Sequence, residues 1–503
     1  MQDTRVTIRR AGGEQDLLVS SDLTFSQALF MAGFFLTAPL CGGIGRCGKC
    51  LIRYLVPAPD ATPVERDILP LEGLARGDRL ACRHYPRPGD IIEVLSLPCP
   101  RYTSTKGLHG KGLAVDLGTT TLKWALVSEA LMTSGSEINP QMGGGSEVMS
   151  RIAFAARGAA QQEYLRQVVI ERLETWFKEA KGVESLVVVG NSAMMYLLLG
   201  LDLKGLASSP YRLSYHGDSM EQLSPLLPAA YIPPLIAPFL GADISAGLGS
   251  LLLDPAHPKY PFLFCDLGTN GEFVLALSPE EFLGASIPMG PALEGVGLRL
   301  GAPAGPGVIT RFSLQPGGVK PWGAPAGNRM SGSGYLSLLA LLFRLGLVNV
   351  SGGFEPPGTP LASRIVAETD KGRLMLRQGI VLDGKDVEEV LKVKAAFNLG
   401  VSKLLQEAGL SLVEVKRIVL AGALGEHISI DDLTTLGFLP VSAGNRTVTS
   451  GNTALGGAGR LLNNIRARRR TKEIAERIQV LDLAAAPDFQ ASYIERMRFG
   501  FVE

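Results

Sequence analysis

The chain has 503 residues, a net charge of +1, 46% hydrophobic residues and 60 glycines. This length and composition predict two to four compact globular domains and exclude a disordered chain. The near-zero net charge gives no electrostatic basis for binding nucleic acid or an anionic membrane.

The N-terminal residues predict a small α+β domain spanning residues 1–98. Alternating apolar and polar residues over 3–20, around Gly12-Gly13, predict a β-hairpin. The uncharged stretch Leu23–Gly45 contains polar residues and a proline, so it predicts a short buried helix rather than a membrane span. That helix starts at a Thr24–Gln27 capping box, and a second starts at Thr62, Pro63 and Glu65. Further strands are predicted over 51–56, 79–82 and 90–97.

Four of the six cysteines have a metal-ligand spacing. Three lie in one glycine-rich loop, as Cys41-x5-Cys47-x2-Cys50, and Cys82 follows 32 residues later. This arrangement predicts a [2Fe–2S] ferredoxin site, with one residue more in the first gap than the plant-type spacing. Gly42, Gly43, Gly45 and Gly48 would let the backbone wrap closely around the cluster.

A structural zinc site is the alternative for these cysteines, but it usually pairs two short Cys-x2-4-Cys units. Cys265 lies in an apolar run and is predicted to be a buried core thiol, and Cys99 is left without a role. Because six cysteines are too few for a disulfide framework, and the polar start Met1–Arg5 does not resemble a signal peptide, we expect a cytoplasmic protein.

Beyond a linker predicted over 99–111, one sequence unit occurs twice. Asp116-Leu-Gly118-Thr-Thr-Thr121 and Asp266-Leu-Gly268-Thr-Asn-Gly271 each follow an apolar strand and precede another. The repeat predicts a duplicated α/β domain, with lobes over 112–260 and 261–503. Each turn could bind phosphate through backbone N–H groups and threonine hydroxyls, and each aspartate could hold hydrated Mg²⁺. A tight β-hairpin explains one such turn equally well.

Other segments suggest weaker sites. The apolar strand ending at Gly422-Ala-Leu-Gly425 could lie under an adenosine, or be a common strand-to-helix turn. Asp243 could orient water or bind Mg²⁺ through water, or cap a helix. Ser331–Gly334 could bind an anion or start a helix. His84 could influence the cluster, but a surface histidine is favoured. The basic stretch Ile465–Ile478 could be a docking patch, but a solvated helix face is favoured.

Together the two aspartate turns and the Gly422 turn resemble the nucleotide site of the actin-like ATPase superfamily. This resemblance implies two ribonuclease-H-like lobes with ATP between them, so that the fold class is a ferredoxin-like (β-grasp) α+β domain followed by a duplicated actin-like ATPase domain. The implied catalytic residues are Asp116, Asp243 and Asp266. The implied ATP-binding residues are Gly118, Thr119, Thr120, Thr121, Lys123, Gly268, Thr269, Asn270, Gly271, Glu272, Gly422 and Gly425.

A ferredoxin joined to such an ATPase resembles the reductive activators of corrinoid proteins. The more specific motifs are Asn139-Pro-Gln141 with Val148–Ile152, Gly190–Met194, Phe239–Asp243, Asp266–Glu272, Gly290–Gly295, Leu420–Gly425 and Gly451-Asn452. The chain departs from the family at Glu147, where Asp is usual, and at Arg329–Gly334, which lacks a cysteine. Archaeal activators instead carry [4Fe–4S] clusters at the other end of the chain.

The resemblance implies a function: ATP-coupled transfer of one electron from a [2Fe–2S] cluster to inactive Co(II) on a corrinoid protein, restoring Co(I). In this family the activator of the acetyl-CoA-pathway corrinoid protein carries an extra domain between the ferredoxin and ATPase parts. The linker Pro98–Gly112 is too short for such a domain, which favours a methyltransferase-type partner. The implied cofactors are the cluster, ATP and Mg²⁺. An upstream reductase, flavodoxin or ferredoxin would supply electrons, and a homodimer is a further expected assembly. Alternatives are an ATP-driven donor to another metalloenzyme, a nucleotide-sensing redox module and a phosphotransferase with an appended cluster.

Overall fold

The computed structural model describes residues 3–10, 13–36, 40–45, 47–95, 103–128, 132–316, 318–322, 329–370, 372–422 and 428–502. The chain forms two compact units. The first comprises Met1–Leu186, Ala193–Arg212 and Glu221–Ala230, and the second comprises Val187–Ser192, Leu213–Met220 and Tyr231–Glu503. Within the described ranges, no helix is both long and apolar enough to cross a membrane.

A mixed five-stranded sheet occupies the N-terminal part of the first unit. The elements are β1 (Asp3–Arg10), β2 (Gly13–Ser20), α1 (Phe25–Met31), β3 (Leu51–Tyr54), α2 (Pro63–Ile68), α3 (Leu71–Ala75), β4 (Asp78–Leu80) and β5 (Ile91–Val94). The strand order is β2-β1-β5-β3-β4. Strands β1 and β5 are parallel, and the other neighbours are antiparallel. The predicted hairpin is confirmed, with Asp3 opposite Ser20.

Local capping signals set the two predicted helix starts. Thr24 and Gln27 form the predicted capping box before α1, and Thr62 and Glu65 form one before α2. The predicted strand 79–82 is wrong at its end, because the chain leaves the sheet after Leu80 and turns through a 3₁₀ segment, Ala81–Arg83. Cys82 therefore lies in a tight turn rather than in a strand.

After this sheet the chain forms three antiparallel strands, of which the first two are largely buried and the third is mostly exposed. The elements that follow in chain order are β6 (Gly112–Leu117), β7 (Thr121–Val127), β8 (Met132–Ile138), α4 (Val148–Ala155), α5 (Ala159–Glu179), β9 (Ser185–Val189), α6 (Ser192–Leu199), α7 (Lys204–Ala207), β10 (Ser219–Glu221) and β11 (Ala230–Ile232). Strand β7 pairs with both β6 and β8. The apolar run at 185–189 predicts a strand, which is confirmed, and the pattern over 163–179 predicts a helix, which begins four residues earlier, at Ala159.

The second unit contains a six-stranded sheet in the order β21-β20-β12-β13-β14-β22. Its elements are α8 (Ala242–Leu252), β12 (Phe262–Leu267), β13 (Asn270–Ala276), β14 (Phe282–Pro288), β15 (Arg311–Gln315), β16 (Gly318–Trp322), α9 (Gly332–Arg344), α10 (Pro360–Ile365), β17 (Val366–Thr369), β18 (Arg373–Leu376), β19 (Val381–Asp383), α11 (Gly384–Glu407), β20 (Arg417–Ala421), α12 (Ile430–Leu436), β21 (Thr447–Thr449), α13 (Thr453–Leu461), α14 (Ile465–Ala475), β22 (Ile478–Val480) and α15 (Phe489–Glu495).

Large hydrophobic clusters bury both faces of this sheet. Cys265, in the central strand β12, is fully buried, as predicted. Ser331 accepts a hydrogen bond from the Gly334 N–H and caps α9, which is the ordinary helix start that the sequence left open. The basic helix α14 has the predicted solvated face, since Arg469 is exposed and pairs with Glu473. Its other face is occupied, because Arg468 lies over the Tyr231 ring at 4.1 Å.

The predicted repeat is visible in the strand topology. Strands β6, β7 and β8 form an antiparallel meander with the first aspartate turn between β6 and β7. Strands β12, β13 and β14 form the same meander around the second turn. A 3₁₀ segment beginning with proline follows each meander, at Pro140–Gly144 and Pro291–Glu294. Each aspartate turn is therefore built by the same local unit.

Candidate functional site: paired thiols and two aspartate turns

The four predicted ligand cysteines come together in the first unit as two pairs. The thiols of Cys41 and Cys47 hydrogen-bond to each other, as do those of Cys50 and Cys82. Cys47 is half-buried and the other three are buried. These hydrogen bonds, and then burial, raise the pKa of Cys47 and of Cys50 well above the usual thiol value. A bound metal would reverse this, since a coordinating thiol loses its proton.

The loop that carries three of these cysteines has the backbone that close wrapping requires. Gly42, Gly43, Gly45 and Gly48 all have positive φ, between 60° and 96°. A side chain at Gly42 would place its Cβ 2.6 Å from the Ser146 backbone nitrogen, and a side chain at Gly45 would meet the Arg83 guanidinium. Glycine is therefore favoured at both positions by the backbone conformation, and at Gly42 by the lack of space as well.

A buried, hydrogen-bonded histidine–glutamate pair holds the segment around Cys82, and it corrects the prediction of a surface histidine. His84 is buried, and its Nε2 lies 2.9 Å and 3.0 Å from the carboxylate oxygens of Glu65, which is fully buried. Glu65 also accepts from the Leu80 N–H at 2.7 Å and from the Thr62 N–H at 2.8 Å. Burial disfavours the charged carboxylate, but the hydrogen bonds outweigh it and lower the pKa of Glu65 to about 2.

The first aspartate turn lies between β6 and β7. Asp116 is buried at the end of β6, opposite Lys123, whose Nζ lies 3.9 Å from its carboxylate. In the turn itself, Thr119 and Thr120 are buried. A Cβ at Gly118 would lie 2.6 Å from the Thr121 carbonyl oxygen, so only glycine fits there. The predicted residues from Asp116 to Lys123 therefore form one compact turn.

Asn139 holds this turn; it lies in one of the motifs named above, but no role was predicted for it. Its side-chain Nδ2 donates to the Gly118 carbonyl at 2.7 Å, and its backbone N–H donates to the Thr120 carbonyl at 2.9 Å. Its Oδ1 accepts from the Gln141 N–H, which starts the 3₁₀ segment. The available signal was Asn-Pro at the end of a strand, which favours a turn.

The second aspartate turn, in the second unit, lies between β12 and β13. Asp266 is paired in register with Glu272, which is buried. Burial, and then the negative charges of Asp243 and Asp266, raise the pKa of Glu272 well above the usual carboxyl value. Asp266 of the turn and Asp243 at the start of α8 therefore both lie within electrostatic reach of Glu272.

Two residues outside the predicted set stabilise this second turn. Asn191 donates from Nδ2 to Glu272 at 3.2 Å. Glu294 accepts from the Thr269 hydroxyl at 2.9 Å, and a Cβ at Gly268 would lie 3.5 Å from the same carboxylate. Glu294 thus holds the second turn from the 3₁₀ segment after β14, as Asn139 holds the first.

The glycine turn at the end of β20, the third predicted element of the nucleotide site, lies beside Asp266. Gly422 has a φ of +89°, and a Cβ there would lie 2.5 Å from the Asp266 carboxylate. Strand β20 pairs with β12 so that Ala421 is opposite Asp266. Gly425 lies outside the described residues. Asp266, Glu272, Asp243 and Gly422 are thus brought together in the second unit.

The donor sets match the predicted cofactors in number and type. No three His, Cys, Asp or Glu side chains in the described ranges are arranged to hold one metal ion. A [2Fe–2S] cluster does not need such a group, because each iron takes two cysteines, and the thiols are paired two and two. Mg²⁺ with a nucleotide needs one or two carboxylates plus water.

Comparisons with known proteins assign this architecture. Residues 261–501 match the family model described as the C-terminal domain of RACo, the ASKHA domain, and residues 111–255 match the RACo middle region. This chain belongs to the family of ATP-dependent reductive activators of corrinoid proteins. An ASKHA (actin-like ATPase) domain is therefore present in it.

Individual members of the family resemble the chain over most of its length. The corrinoid activation enzyme RamQ of Eubacterium limosum is 29% identical over 77% of this chain and 70% of its own. The [Co(II) methylated amine-specific corrinoid protein] reductase of Methanosarcina barkeri is 26% identical over 76% of each chain. The solved structure of a reductive activator for corrinoid, iron-sulfur protein has the same fold, with a TM-score of 0.69, 24% identity and 99% of each chain covered.

Proposed function

We propose that this chain uses ATP to transfer one electron from a [2Fe–2S] cluster to Co(II) on a methyltransferase-type corrinoid protein, restoring Co(I). The observation that carries the proposal is the presence, in one activator-family chain, of two thiol pairs and of two Asp-Leu-Gly-Thr turns, each held by a side-chain hydrogen bond from outside the turn.

The cysteines support a two-iron cluster. Cys41 and Cys47 would bind one iron, and Cys50 and Cys82 the other, because these are the thiols in mutual contact. When bound, such a cluster supplies one electron at low potential, near −400 mV in plant-type proteins. Glu65 holds Cys82 in place through Leu80 and His84 on either side of it.

The two aspartate turns support ATP binding. Backbone N–H groups and hydroxyls of Thr119, Thr120 and Thr269 would donate to phosphate oxygens, as in other glycine turns that bind anions. Asp116 at the first turn and Asp266 at the second are each a candidate to hold hydrated Mg²⁺, and Asp243 would orient the attacking water in ATP hydrolysis. Gly422 leaves room beside Asp266 that any side chain would fill.

The relatives support the acceptor. The Methanosarcina barkeri relative is named as a reductase of a Co(II) corrinoid protein specific for methylated amines, which favours a methyltransferase-type partner. The length of the linker does not decide the partner, because the solved activator for the corrinoid, iron-sulfur protein matches over 99% of both chains. In the balanced step, the cluster would give up one electron and cobalt would gain it. An external low-potential reductase, flavodoxin or ferredoxin would then return one electron to the cluster.

Coupling to ATP is needed where the midpoint potential of the Co(II)/Co(I) couple is lower than that of the electron donor. For one electron, each ~59 mV uphill costs about 1.4 kcal/mol. Nucleotide-dependent closure of an ATPase domain that favours the productive complex by a few kcal/mol would be enough. The chain therefore acts as an ATP-hydrolysing reductase in this proposal.

The decisive experiment measures Co(II) reduction in a methyltransferase-type corrinoid protein by visible absorption, with the reduced full-length chain and Mg-ATP. We expect Co(I) to form only with ATP, and ATP hydrolysis to rise when the Co(II) protein is added. Reduction at the same rate without ATP would contradict the proposal, as would hydrolysis that ignores the corrinoid protein.

Two variants separate the two halves of the mechanism. Cys82→Ala should remove the visible absorption of the cluster while nucleotide binding is retained. Asp266→Ala should abolish ATP turnover while the cluster remains reducible. Loss of both properties in either variant would contradict the assignment of separate cluster and phosphate sites.

A further inference from the structure

A fully buried arginine in the first unit joins the first aspartate turn to the segment beside the cysteine loop. Arg151, on α4, donates from Nη2 to the Thr119 carbonyl at 2.8 Å. It also donates from Nη2 and Nε to the Gly145 carbonyl, at 2.8 Å and 3.1 Å. One guanidinium therefore fixes the Thr119 backbone relative to the Gly145 backbone.

The next residue, Ser146, lies against the cysteine loop. A Cβ at Gly42 would lie 2.6 Å from the Ser146 N and 2.7 Å from its Oγ, so Ser146 packs directly on the residue after Cys41. Ser146 is buried, and its hydroxyl has no hydrogen-bond partner among the described residues. A buried hydroxyl without a partner costs free energy, which points to an acceptor at this place when the cysteines are loaded.

The same helix fixes the element that precedes the cysteine loop. Phe154, three residues after Arg151 on α4, contacts the fully buried Phe30 of α1, with ring centroids 5.8 Å apart. Phe30 also contacts Tyr164 edge-to-face at 5.1 Å. A shift of α4 would therefore be felt by α1 and by the loop that follows it, because closely packed interiors transmit displacement.

We propose that Arg151 and Ser146 are positioning residues that link occupation of the Asp116–Thr121 turn to the reduction potential at Cys41. The link rests on the proposed function, because it requires nucleotide at the turn and a cluster at the cysteines. The Ser146 hydroxyl donates to a sulfur at Cys41 or to a cluster sulfide, which stabilises the more negative, reduced form. Phosphate at the turn displaces the Thr119 carbonyl, and Arg151 carries that displacement to Gly145 and Ser146.

The direction of the effect follows from charge and from the loss of a donor. Withdrawal of the Ser146 hydroxyl removes stabilisation of the reduced form, and a nearby triphosphate adds negative charge that opposes reduction. Nucleotide binding therefore lowers the midpoint potential, so that the chain becomes a stronger reductant when ATP is bound.

The test is a redox titration of the full-length chain with its cluster, followed by visible circular dichroism, with and without a non-hydrolysable Mg-ATP analogue. Ser146→Ala should lower the midpoint potential of the nucleotide-free protein. The equilibrium constant for reduction should fall about fivefold, which is the factor that one net hydrogen bond contributes. The substitution should also reduce the additional shift caused by the analogue. Ser185→Ala, at another buried serine of the first unit, is the matched control and should behave as wild type.

Arg151→Met tests the link itself. In this variant the bound nucleotide carries the same negative charge, but the hydrogen bonds that join Thr119 to Gly145 are lost. The analogue should therefore shift the midpoint potential less than in wild type. Hydrogen exchange of residues 40–50 gives a readout independent of potential, since the analogue should change their protection in wild type but not in this variant. Because the Arg151 variant is at risk of misfolding, the isosteric Ser146 variant alone suffices to decide.

A Ser146→Ala protein with wild-type potential and a wild-type nucleotide shift would overturn the link. If that protein still reduces Co(II) with ATP, the proposed function stands and only the link fails. If wild type binds no analogue or shows no cluster absorption, the proposed function fails, and the link fails with it.

Discussion

His84 and Glu65 form a buried pair, with Nε2 of the histidine 2.9 Å from the carboxylate, 19 residues apart in the chain. The carboxylate also accepts from the Leu80 N–H, so one side chain fixes the chain on both sides of Cys82. We predict that Glu65→Gln lowers the free energy of unfolding by about 2–3 kcal/mol, because the amide presents a donor where two N–H groups require an acceptor. Urea denaturation followed by circular dichroism would measure it.

The same substitution should reduce the amount of cluster held per chain, measured as iron and as visible absorption, because Cys82 is no longer fixed. Glu72→Gln, at an exposed glutamate on the neighbouring helix α3, is the control and should change neither property. Unchanged stability and full iron content in the Glu65 variant would show that the pair is not needed to position Cys82.

The prediction of a surface His84 failed because its partner is distant in sequence. Two capping boxes, a hairpin and the strand at Ser185–Val189 were all predictable, since each depends on residues within a few positions. The burial of His84 depends on Glu65, whose position at the third residue of α2 was visible while its orientation towards Leu80 was not. Pairing across the fold is set by tertiary packing, which local patterns do not contain.

In the aspartate turns, too, the local features were predictable and the long-range contacts were not. The residue types and the repeat identified the turns themselves, because a glycine after a strand-ending aspartate has a local steric meaning. The braces were missed, because Asn139 reaches Gly118 across 21 residues and Glu294 reaches Thr269 across 25. These contacts arise from the β-meander register, so the motifs that contain Asn139 and Glu294 did not reveal them.

Asn139→Ala should weaken ATP binding without removing the cluster. The variant loses the bond to the Gly118 carbonyl and leaves that buried group without its donor. We expect the dissociation constant for Mg-ATP to rise about tenfold or more, and stability to fall by about 1–2 kcal/mol. Isothermal titration calorimetry would measure the binding.

Asn464→Ala provides the control for that experiment. Asn464 caps α14 by accepting from the Ala467 N–H at 3.0 Å, so its loss costs a similar free energy of unfolding. The affinity of the Asn464→Ala protein for Mg-ATP should stay at the wild-type value. Equal ATP affinity in the two variants would show that Asn139 acts on stability alone.

Two substitutions around Glu272 should shift nucleotide binding in opposite directions with pH. Asn191 donates to Glu272 and lowers its pKa, whereas the Asp243 charge raises it. If ionised Glu272 serves the Mg-nucleotide, binding weakens as pH falls through its pKa. Asn191→Ala should move that weakening to higher pH, and Asp243→Asn should move it to lower pH.

Binding of a non-hydrolysable Mg-ATP analogue, measured across pH, checks this prediction without depending on turnover. Asn349→Ala is the matched control, because it removes an amide donor to another glutamate, Glu355, at 2.6 Å. Its pH dependence should equal that of wild type. A shift in the same direction for both site variants would refute the proposed electrostatic coupling.

Lys394 should make stability depend on pH above neutrality. It is fully buried on α11, with its Nζ 3.3 Å from the Arg496 carbonyl, and burial, then the charges of Arg496 and Arg498, lower its pKa to about 7. Between about pH 7 and the unfolded value near 10.4, the unfolded chain binds more protons, so this residue makes stability rise with pH. Lys394→Met should flatten that rise and raise stability at pH 7.5 by about 2–4 kcal/mol.

Thermal unfolding at pH 7.0 to 9.5 would measure both effects, with Lys385→Met, at an exposed lysine of the same helix, as the control. An unchanged pH dependence in the Lys394 variant would show that the lysine stays charged in the folded protein.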